Sequence, residues 1–580
     1  MATVADSLVF KFSKTLWTLM LVVFAVQCCT AAWGQSLPVP REETVVLEDP
    51  AVFTVFDSFN NRIPQGNEFA NGYQQIGQEY LFLANFTTGE IEPWLATSYK
   101  YNNDYTELTV KLRDDVTWND GEPFTADDVV FTYQTVMKED KLGGIAYREQ
   151  IKNVSAPDKK TVKLIFNQPE PRFIYGLYGQ VTGFTIWPKH IWEGEDPVTF
   201  KNNPPVTTAA YNLKQVIPAL RMFIWERNET YWDKSERFPE AKYIVIRTAP
   251  SSPDADLQEL ITNTIDVGRN VQWFQVELAQ QNDPTVSATV FQDPCPRVVS
   301  VNTQRKPFDD PKFRWALSYA IDREKIATVI AQPTTVPATH PWSDYDLLNR
   351  FTYPDILEKY PLTYDVERAN QMLDDLGYTM DANGVRTGPD GKPLEYTLLT
   401  VDQVGTVPYE QAQEIAAGIK QIGINLTVRN LAAAAYDDAL ATGKFDIVSN
   451  WHCGAMIDAI DTYNQFTFSL PGQVEPVEGE RTPGAYTWSS LKNPEFDKVV
   501  AQLQRINPDD RQADALYKQA LELWMQGLPV IPVIQQAYFM PWSEKTWTGW
   551  PKEGNLYTVP FSWWATFNKV PFELKRAGSE

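Results

Sequence analysis

The chain has 580 residues, 43% of them apolar, and carries 74 acidic against 51 basic side chains for a net charge of −23. That length exceeds what one hydrophobic core usually holds, so two or three subdomains are expected. A surface this acidic repels phosphates and argues against nucleic acid as a partner.

The first element in the chain is a targeting signal. Lys11 and Lys14 precede an apolar run from Leu16 to Val26, and small residues lead to Gly34, the pattern of a secretory signal over residues 1–34. The run falls short of the roughly 20 residues that a membrane helix needs, so an exported, soluble mature protein is expected. Cys295 and Cys453 are the cysteines beyond it, and either one disulfide or two separate thiols fits their number.

Further along, Leu108, Val110 and Leu112 alternate with Thr109 and Lys111 as in a half-buried strand. Asn119-Asp120-Gly121 then predicts a tight turn, and Thr125 with Asp128 a capping box that opens a helix. Asp310-Pro311 reads as an N-cap and first-turn proline, followed by Phe313, Ala316, Leu317, Ala320 and Ile321 on one helical face. Ala412, Ile415, Ala416 and Ile419 predict another helix, stopped near Gly423 and followed at once by a strand through Ile424, Leu426 and Val428. Strand and helix patterns alternate throughout with no fixed-period repeat, which predicts an α/β architecture whose parts are joined by several crossings.

Several of these segments carry a family resemblance. The block LRDDVTWNDGEPFTADDVVFTY from Leu112 to Tyr133 follows Glu92-Pro93-Trp94-Leu95-Ala96 and precedes Tyr231-Trp232. The stretch from Val301 to Ile326, then Tyr364 to Tyr378, then Leu528 to Val533, complete the series. In this order, over nearly the whole mature chain, they resemble the extracellular solute-binding proteins of ABC transporters, family five, whose members carry peptides, nickel or oligosaccharides. One departure stands at Pro205-Val206-Thr207-Thr208-Ala209-Ala210-Tyr211, where the family commonly has a glycine-bearing turn.

The resemblance implies an α/β, periplasmic-binding-protein-like fold of two lobes around a hinge, with an extra subdomain in lobe one. Lobe one would span 35–296, lobe two 297–534, and 535–580 would return to lobe one. It also implies a monomeric periplasmic receptor that closes on a solute and delivers it to the transmembrane subunits of an ABC permease, with no cofactor. Closure requires the ligand to bind the closed state more tightly than the open one.

The ligand class is read from departures and aromatics. The peptide-binding members that the chain resembles carry Trp-x-x-Asp, the aspartate pairing with the peptide amine; here Trp451-His452-Cys453-Gly454 puts glycine in that place. Asp458 and Asp461 follow closely and could replace it. A neutral ligand avoids burying an unpaired cation, and a neutral oligosaccharide, such as a β-linked, cellobiose-like fragment, is the preferred expectation, with an oligopeptide or dipeptide second. Aromatics form 13% of the chain, and sugar rings stack on indoles while their hydroxyls need amides and carboxylates. Trp451 beside Asn450, and Trp273 beside Asn270 and Gln272, pair an indole with amides; these five, with Asp458 and Asn302, form the expected ligand-binding set, although core packing is an equally ordinary use of tryptophan. Arg314, Asp322 and Arg323 read as an ion-pair set on a helix face without a ligand role.

Catalysis and metal binding find less support. The histidines are His190, His340 and His452, far apart, with no Gly-x-Ser-x-Gly elbow and no zinc-protease pair. His452 beside Cys453 could suggest nickel or haem, but adjacent side chains of a strand point to opposite faces, so no metal is expected. A glycoside hydrolase is the enzyme alternative, because it needs two suitably spaced carboxylates and the chain has many.

Overall fold

The computed structural model describes residues 37–49, 55–63, 71–179, 184–248, 252–269, 271–330, 334–401, 407–468, 476–480 and 487–578. The signal segment 1–34 and Asn270 lie outside them.

After β1 (Thr44–Asp49) the chain builds a separate antiparallel sheet from β2 (Ala96–Tyr101), β3 (Glu107–Leu112), β4 (Ile151–Asp158) and β5 (Thr161–Phe166), in the order β2-β3-β5-β4. Alternation decides how β3 sits, with Leu108, Val110 and Leu112 buried and Lys111 exposed. Helix α1 (Ala126–Lys138) is inserted between β3 and β4. It opens on the expected capping box, in which the Thr125 amide donates to the Asp128 carboxylate at 2.8 Å.

The chain returns to β1 with β6 (Tyr211–Ile217), β7 (Met222–Arg227) and β8 (Tyr243–Thr248), forming the sheet β1-β8-β7-β6 with β1 and β8 parallel. The departure at residues 205–211 is accommodated without left-handed backbone, since the described non-glycine residues of positive φ lie elsewhere. Trp225 of β7 fills the core of this sheet and donates its indole N–H to the Asn71 carbonyl at 2.8 Å. A Cβ on Gly77 would lie 2.4 Å from the same indole, so that position must be glycine for the ring to fit.

Helix α2 (Trp273–Asn282) and β9 (Val286–Gln292) lead to the first crossing. Beyond it lie β10 (Arg297–Val301), α3 (Pro311–Tyr319), α4 (Val366–Asp375), β11 (Glu395–Thr400), α5 (Val407–Lys420), β12 (Asn425–Asn430) and β13 (Ile447–Trp451). Helices α6 (Ile460–Asn464), α7 (Pro494–Arg505) and α8 (Arg511–Gly527) follow, then β14 (Val530–Gln535) and β15 (Ala537–Ser543). A six-stranded sheet runs Val336–Pro337, β14, β10, β13, β11, β12. Helix α5 and strand β12 form as the sequence predicts, with Gly423 in the left-handed region at φ 77° between them. Asp310 likewise caps α3, accepting from the Lys312 amide at 2.8 Å.

The chain therefore passes between sheets twice, at residues 293–296 and at Gln536. The passages lie side by side, because β9 pairs with β15 and β10 with β14, all antiparallel, and the Asp293 amide donates to the Gln536 carbonyl between them.

The expected helix-face ion pairs of Arg314, Asp322 and Arg323 are not what forms. Both guanidiniums are buried and turned inward. Arg314 donates to the carbonyls of Phe308, Gly527 and Leu528, and Arg323 to Pro532 and Ser318. For Arg314 the reason lies in the end of α8, where the backbone turns left-handed at Leu528 (φ 44°) and leaves the Gly527 and Leu528 carbonyls to be satisfied, whereas Arg323 satisfies the Pro532 carbonyl in β14 and the Ser318 carbonyl of α3. Burial pushes the Arg314 pKa down to about 10 and that of Arg323 to about 9. Asp322 instead caps the turn that follows it, accepting from the Lys325 amide.

Arg314→Ala strands three buried carbonyls at once and is expected to lower unfolding free energy by ~3 kcal/mol or more. Urea denaturation measures this, and a loss below ~1 kcal/mol would show that water takes over the carbonyls.

Candidate functional site

A cavity of about 600 Å³ lies where the segment after β5 faces α6 and α7, and its floor is the first crossing. Glu170, Arg172, Phe173 and Tyr175 line one wall; Met456, Asp461, Asn464, Gln504 and Arg505 line the other. Pro294 and Cys295 come from the crossing, and Trp564 from the C-terminal return. The volume falls in the ~300–1,000 Å³ range of small-molecule sites. Cys295 and Cys453 are bridged with their Cα atoms 4.1 Å apart, so the disulfide ties the crossing to the segment after β13 and forms part of the cavity wall.

The walls touch through charged groups. Arg172 reaches across to the Asp458 carboxylate at 2.7 Å, to the Tyr517 hydroxyl at 2.6 Å, and to the carbonyls of Leu503 and Ile506. Tyr517 in turn donates to the other Asp458 oxygen at 2.5 Å. Arg505 pairs with Glu170, and Asn507 donates to the Tyr105 hydroxyl. Burial raises the Glu170 pKa, and the Arg505 charge opposes that rise.

Asp461 is different. It lines the cavity one turn beyond Asp458, and no side-chain hydrogen bond or ion pair holds its carboxylate among the described residues. Burial, and then the neighbouring Asp458 charge, push its pKa up to about 7, with Arg172 only partly offsetting them. A ligand hydroxyl or a ligand cation would each find an acceptor there.

Position 454 is closed to any side chain. A Cβ on Gly454 would meet the Thr462 hydroxyl oxygen at 2.4 Å and the His452 ring at 2.9 Å, and that hydroxyl already accepts from the Ala455 amide. The glycine in place of an aspartate is therefore built into the packing of α6 against the strand end.

The expected ligand-binding residues are dispersed relative to this cavity. Asp458 is buried and committed to Arg172 and Tyr517, which makes it a cross-wall anchor beside the cavity. Asn302 is fully buried, donating to the Gly443 and Phe445 carbonyls and accepting from the Gln304 amide, and it braces the chain after β10. Trp451 ends β13, 38% exposed, its ring 5.9 Å from the Arg297 guanidinium; Asn450 is buried and accepts from the Trp451 amide. Both stand just before the lining residues Cys453 and Gly454 without lining the cavity themselves. Gln272 forms a capping box with Gln275 at the start of α2, and Trp273 lies edge-on to Phe274 on that helix, away from the cavity lining. Glu170, Arg172, Arg505 and Trp564 are missing from the expected set; the charged, proline-flanked Glu170-Pro171-Arg172 in the segment after β5 is the available signal.

The histidines are occupied by structure. His190 sits 2.7 Å from Asp120, and His452 is buried with its pKa pushed down to about 4 by that burial. No group of three histidine, cysteine or acidic residues is placed to hold a metal among the described residues. No helix of the described residues is long and apolar enough to cross a membrane.

Residues 90–473 match the family described as bacterial extracellular solute-binding proteins, family 5 Middle. The periplasmic oligopeptide-binding protein OppA of Salmonella typhimurium is 26% identical over 79% of this chain and 82% of its own length. Heme-binding protein A of Haemophilus influenzae is 24% identical over 83% and 86%. Among solved structures, the periplasmic oligopeptide-binding protein of an oligopeptide ABC transporter from Thermotoga maritima superposes with a TM-score of 0.82 at 26% identity, covering 93% of this chain and all of the other. A second structure of that protein, bound to mannohexaose, gives 0.79 at 25% identity over the same shares. The two-lobed α/β fold, the cavity between its walls and the matched span place this chain in the bacterial extracellular solute-binding proteins, family 5, the ligand-binding and non-enzymatic components of ABC importers.

Proposed function

We propose that this receptor binds a neutral oligosaccharide in the cavity walled by Arg172 and Asp461, and delivers it to the permease from the periplasm after export through residues 1–34. The lobes are taken as 35–296 with 535–580, and 297–534, and the protein as a monomer. The change of sheet between β9 and β10, and back between β14 and β15, supports those borders.

The observation that carries the ligand class is the closed position at Gly454, which leaves no room for the amine-pairing carboxylate of peptide-binding relatives. Gln150, Gln168, Asn464 and Gln504 supply amides to the lining, and Phe173, Tyr175 and Trp564 supply rings, a set suited to hydroxyls and C–H faces. The mannohexaose held by the Thermotoga relative supports the same class. Trp451 and Asn450 are proposed as rim contacts, reached by a ligand longer than the cavity.

Asp461 favours a second reading, an oligopeptide, because its unpaired carboxylate could take an amine from a different position than in OppA-like relatives. Proton linkage separates the two. An amine would pull the Asp461 pKa below 7, so binding at pH 7 would release a proton and tighten as pH rises from 6 to 8. A neutral sugar should change in affinity less than about threefold over that range.

Calorimetry in buffers of different ionisation enthalpy, with manno-, cello- and xylo-oligosaccharides against di- and tripeptides, tests this directly. Sugar binding without proton release is the expected result; peptide binding with release would replace the sugar reading. Trp451→Ala should weaken sugar binding about tenfold, roughly 1.4 kcal/mol, and leave the Tm of the unliganded protein nearly unchanged. A large Tm loss with unaltered affinity would assign the indole to packing.

The same carboxyl gives a stability prediction. The folded state holds the Asp461 proton more tightly than the unfolded chain, whose pKa stays at the ordinary 3.8, so this group makes the protein lose stability as pH rises from about 4 to about 7. Asp461→Asn removes that dependence. Its Tm should exceed that of the parent at pH 8, with the gap closing toward pH 4; equal Tm values at pH 8 would mean the carboxylate is already well solvated.

A further inference from the structure

A second cavity, about 650 Å³ in volume, opens on the far part of the lobe that carries the six-stranded sheet, between α3, the start of α4 and the end of α8. It shares no lining residue with the cavity between the lobes. Its floor is aromatic. Trp315 and Tyr319 are buried, with ring centroids 5.5 Å apart, and Tyr360 lies 6.1 Å from Trp315 at a shallow 31°. Trp315 is fixed in place by donating to the Met525 carbonyl at 3.1 Å.

The rim is cationic in a chain whose net charge is −23. Lys312, Lys359, Arg368 and Lys492 all contribute. Lys359 is paired with Glu522, and Lys492 lies over the Phe468 ring. Arg368 lies over the Tyr319 ring, its guanidinium carbon 4.3 Å from the ring centre, and neither Arg368 nor Lys312 has a carboxylate within ion-pair distance among the described residues. Asp309 and Asp310 stand at the same rim; Asp310 is used as the cap of α3. Arg314, also in the lining, is buried and spent on backbone carbonyls.

An aromatic floor beneath two exposed, uncommitted cations is the arrangement that recognises a flat apolar group bearing a negative charge. We propose that this cavity is a second ligand site, selective for a small aromatic carboxylate, whose ring stacks on the Trp315–Tyr360 floor and whose carboxylate is taken by Lys312 and Arg368. Arg368 is already oriented by Tyr319, so less side-chain freedom is lost on binding than for a free arginine.

The test uses the full mature protein and 8-anilinonaphthalene-1-sulfonate as a fluorescent probe, displaced by indole-3-acetate or by the neutral indole-3-acetamide. Expected are one-to-one saturation, displacement by the acid at least tenfold more effective than by the amide, and severalfold weakening between 50 and 300 mM salt. The doubly substituted Lys312→Glu, Arg368→Glu protein should lose the probe at least tenfold. Both side chains are exposed, and an unchanged Tm confirms that its fold is intact. Asp461→Asn should bind the probe as the parent does. Equal displacement by acid and amide, retention of the probe by the double variant, or loss of the probe in Asp461→Asn would each overturn the proposal, the last by assigning the signal to the cavity between the lobes.

Discussion

One guanidinium governs how the two halves of this protein stand to each other. Arg172 leaves the first lobe just after β5 and satisfies its N–H groups on Asp458, Tyr517 and two backbone carbonyls of the second. Little of it reaches water, so separating the walls must rehydrate the arginine, the carboxylate and the carbonyls together. A buried pair of this kind is worth several kcal/mol to break one-sidedly and far less when both partners return to solvent, which is the condition for a cleft that both closes and opens. In the receptor proposed above, the twin passages at residues 293–296 and Gln536 would serve as the axis, and the ligand would supply the remaining difference in free energy between open and closed states.

The local rules of the chain were legible wherever the deciding partner lies within a few residues. Thr125 with Asp128, Asp310 with Pro311, and Gly423 after its helix all act as read, because a cap or a left-handed turn is settled by its own neighbours. The order of family segments likewise disclosed the two-lobed fold. What could not be read was where a side chain spends its polarity at long range. Arg314 and Arg323 fit a helix-face pattern equally well as surface ion pairs, and the distant carbonyls that draw them inward lie about two hundred residues later, at the end of α8 for Arg314 and in β14 for Arg323, where no spacing announces them. Asp458 looked available for ligand for the same reason: its partner Arg172 is 286 positions away.

The candidate site shows how a substitution at one residue is fixed by another. Gly454 reads in isolation as a missing carboxylate; in the fold it is the space that Thr462 occupies. Its consequence passes to Asp461, which α6 presents to the cavity instead, held near neutrality by burial and by Asp458. Such a group can accept from a hydroxyl or, when protonated, donate to one, and this two-way capacity suits sugar hydroxyls, which also do both.

The bridge between Cys295 and Cys453 sits at the end of a ladder. Arg297 is paired with Trp451 across β10 and β13, and each cysteine lies two positions beyond that pair, so the sulfurs meet only when those strands have the correct register. A shift by one residue would carry the thiols apart and turn the wrong faces inward. The bridge therefore fastens that register: with it in place, β10 and β13 cannot slide along each other, and the crossing at residues 293–296 has to move together with the strand end that carries Cys453.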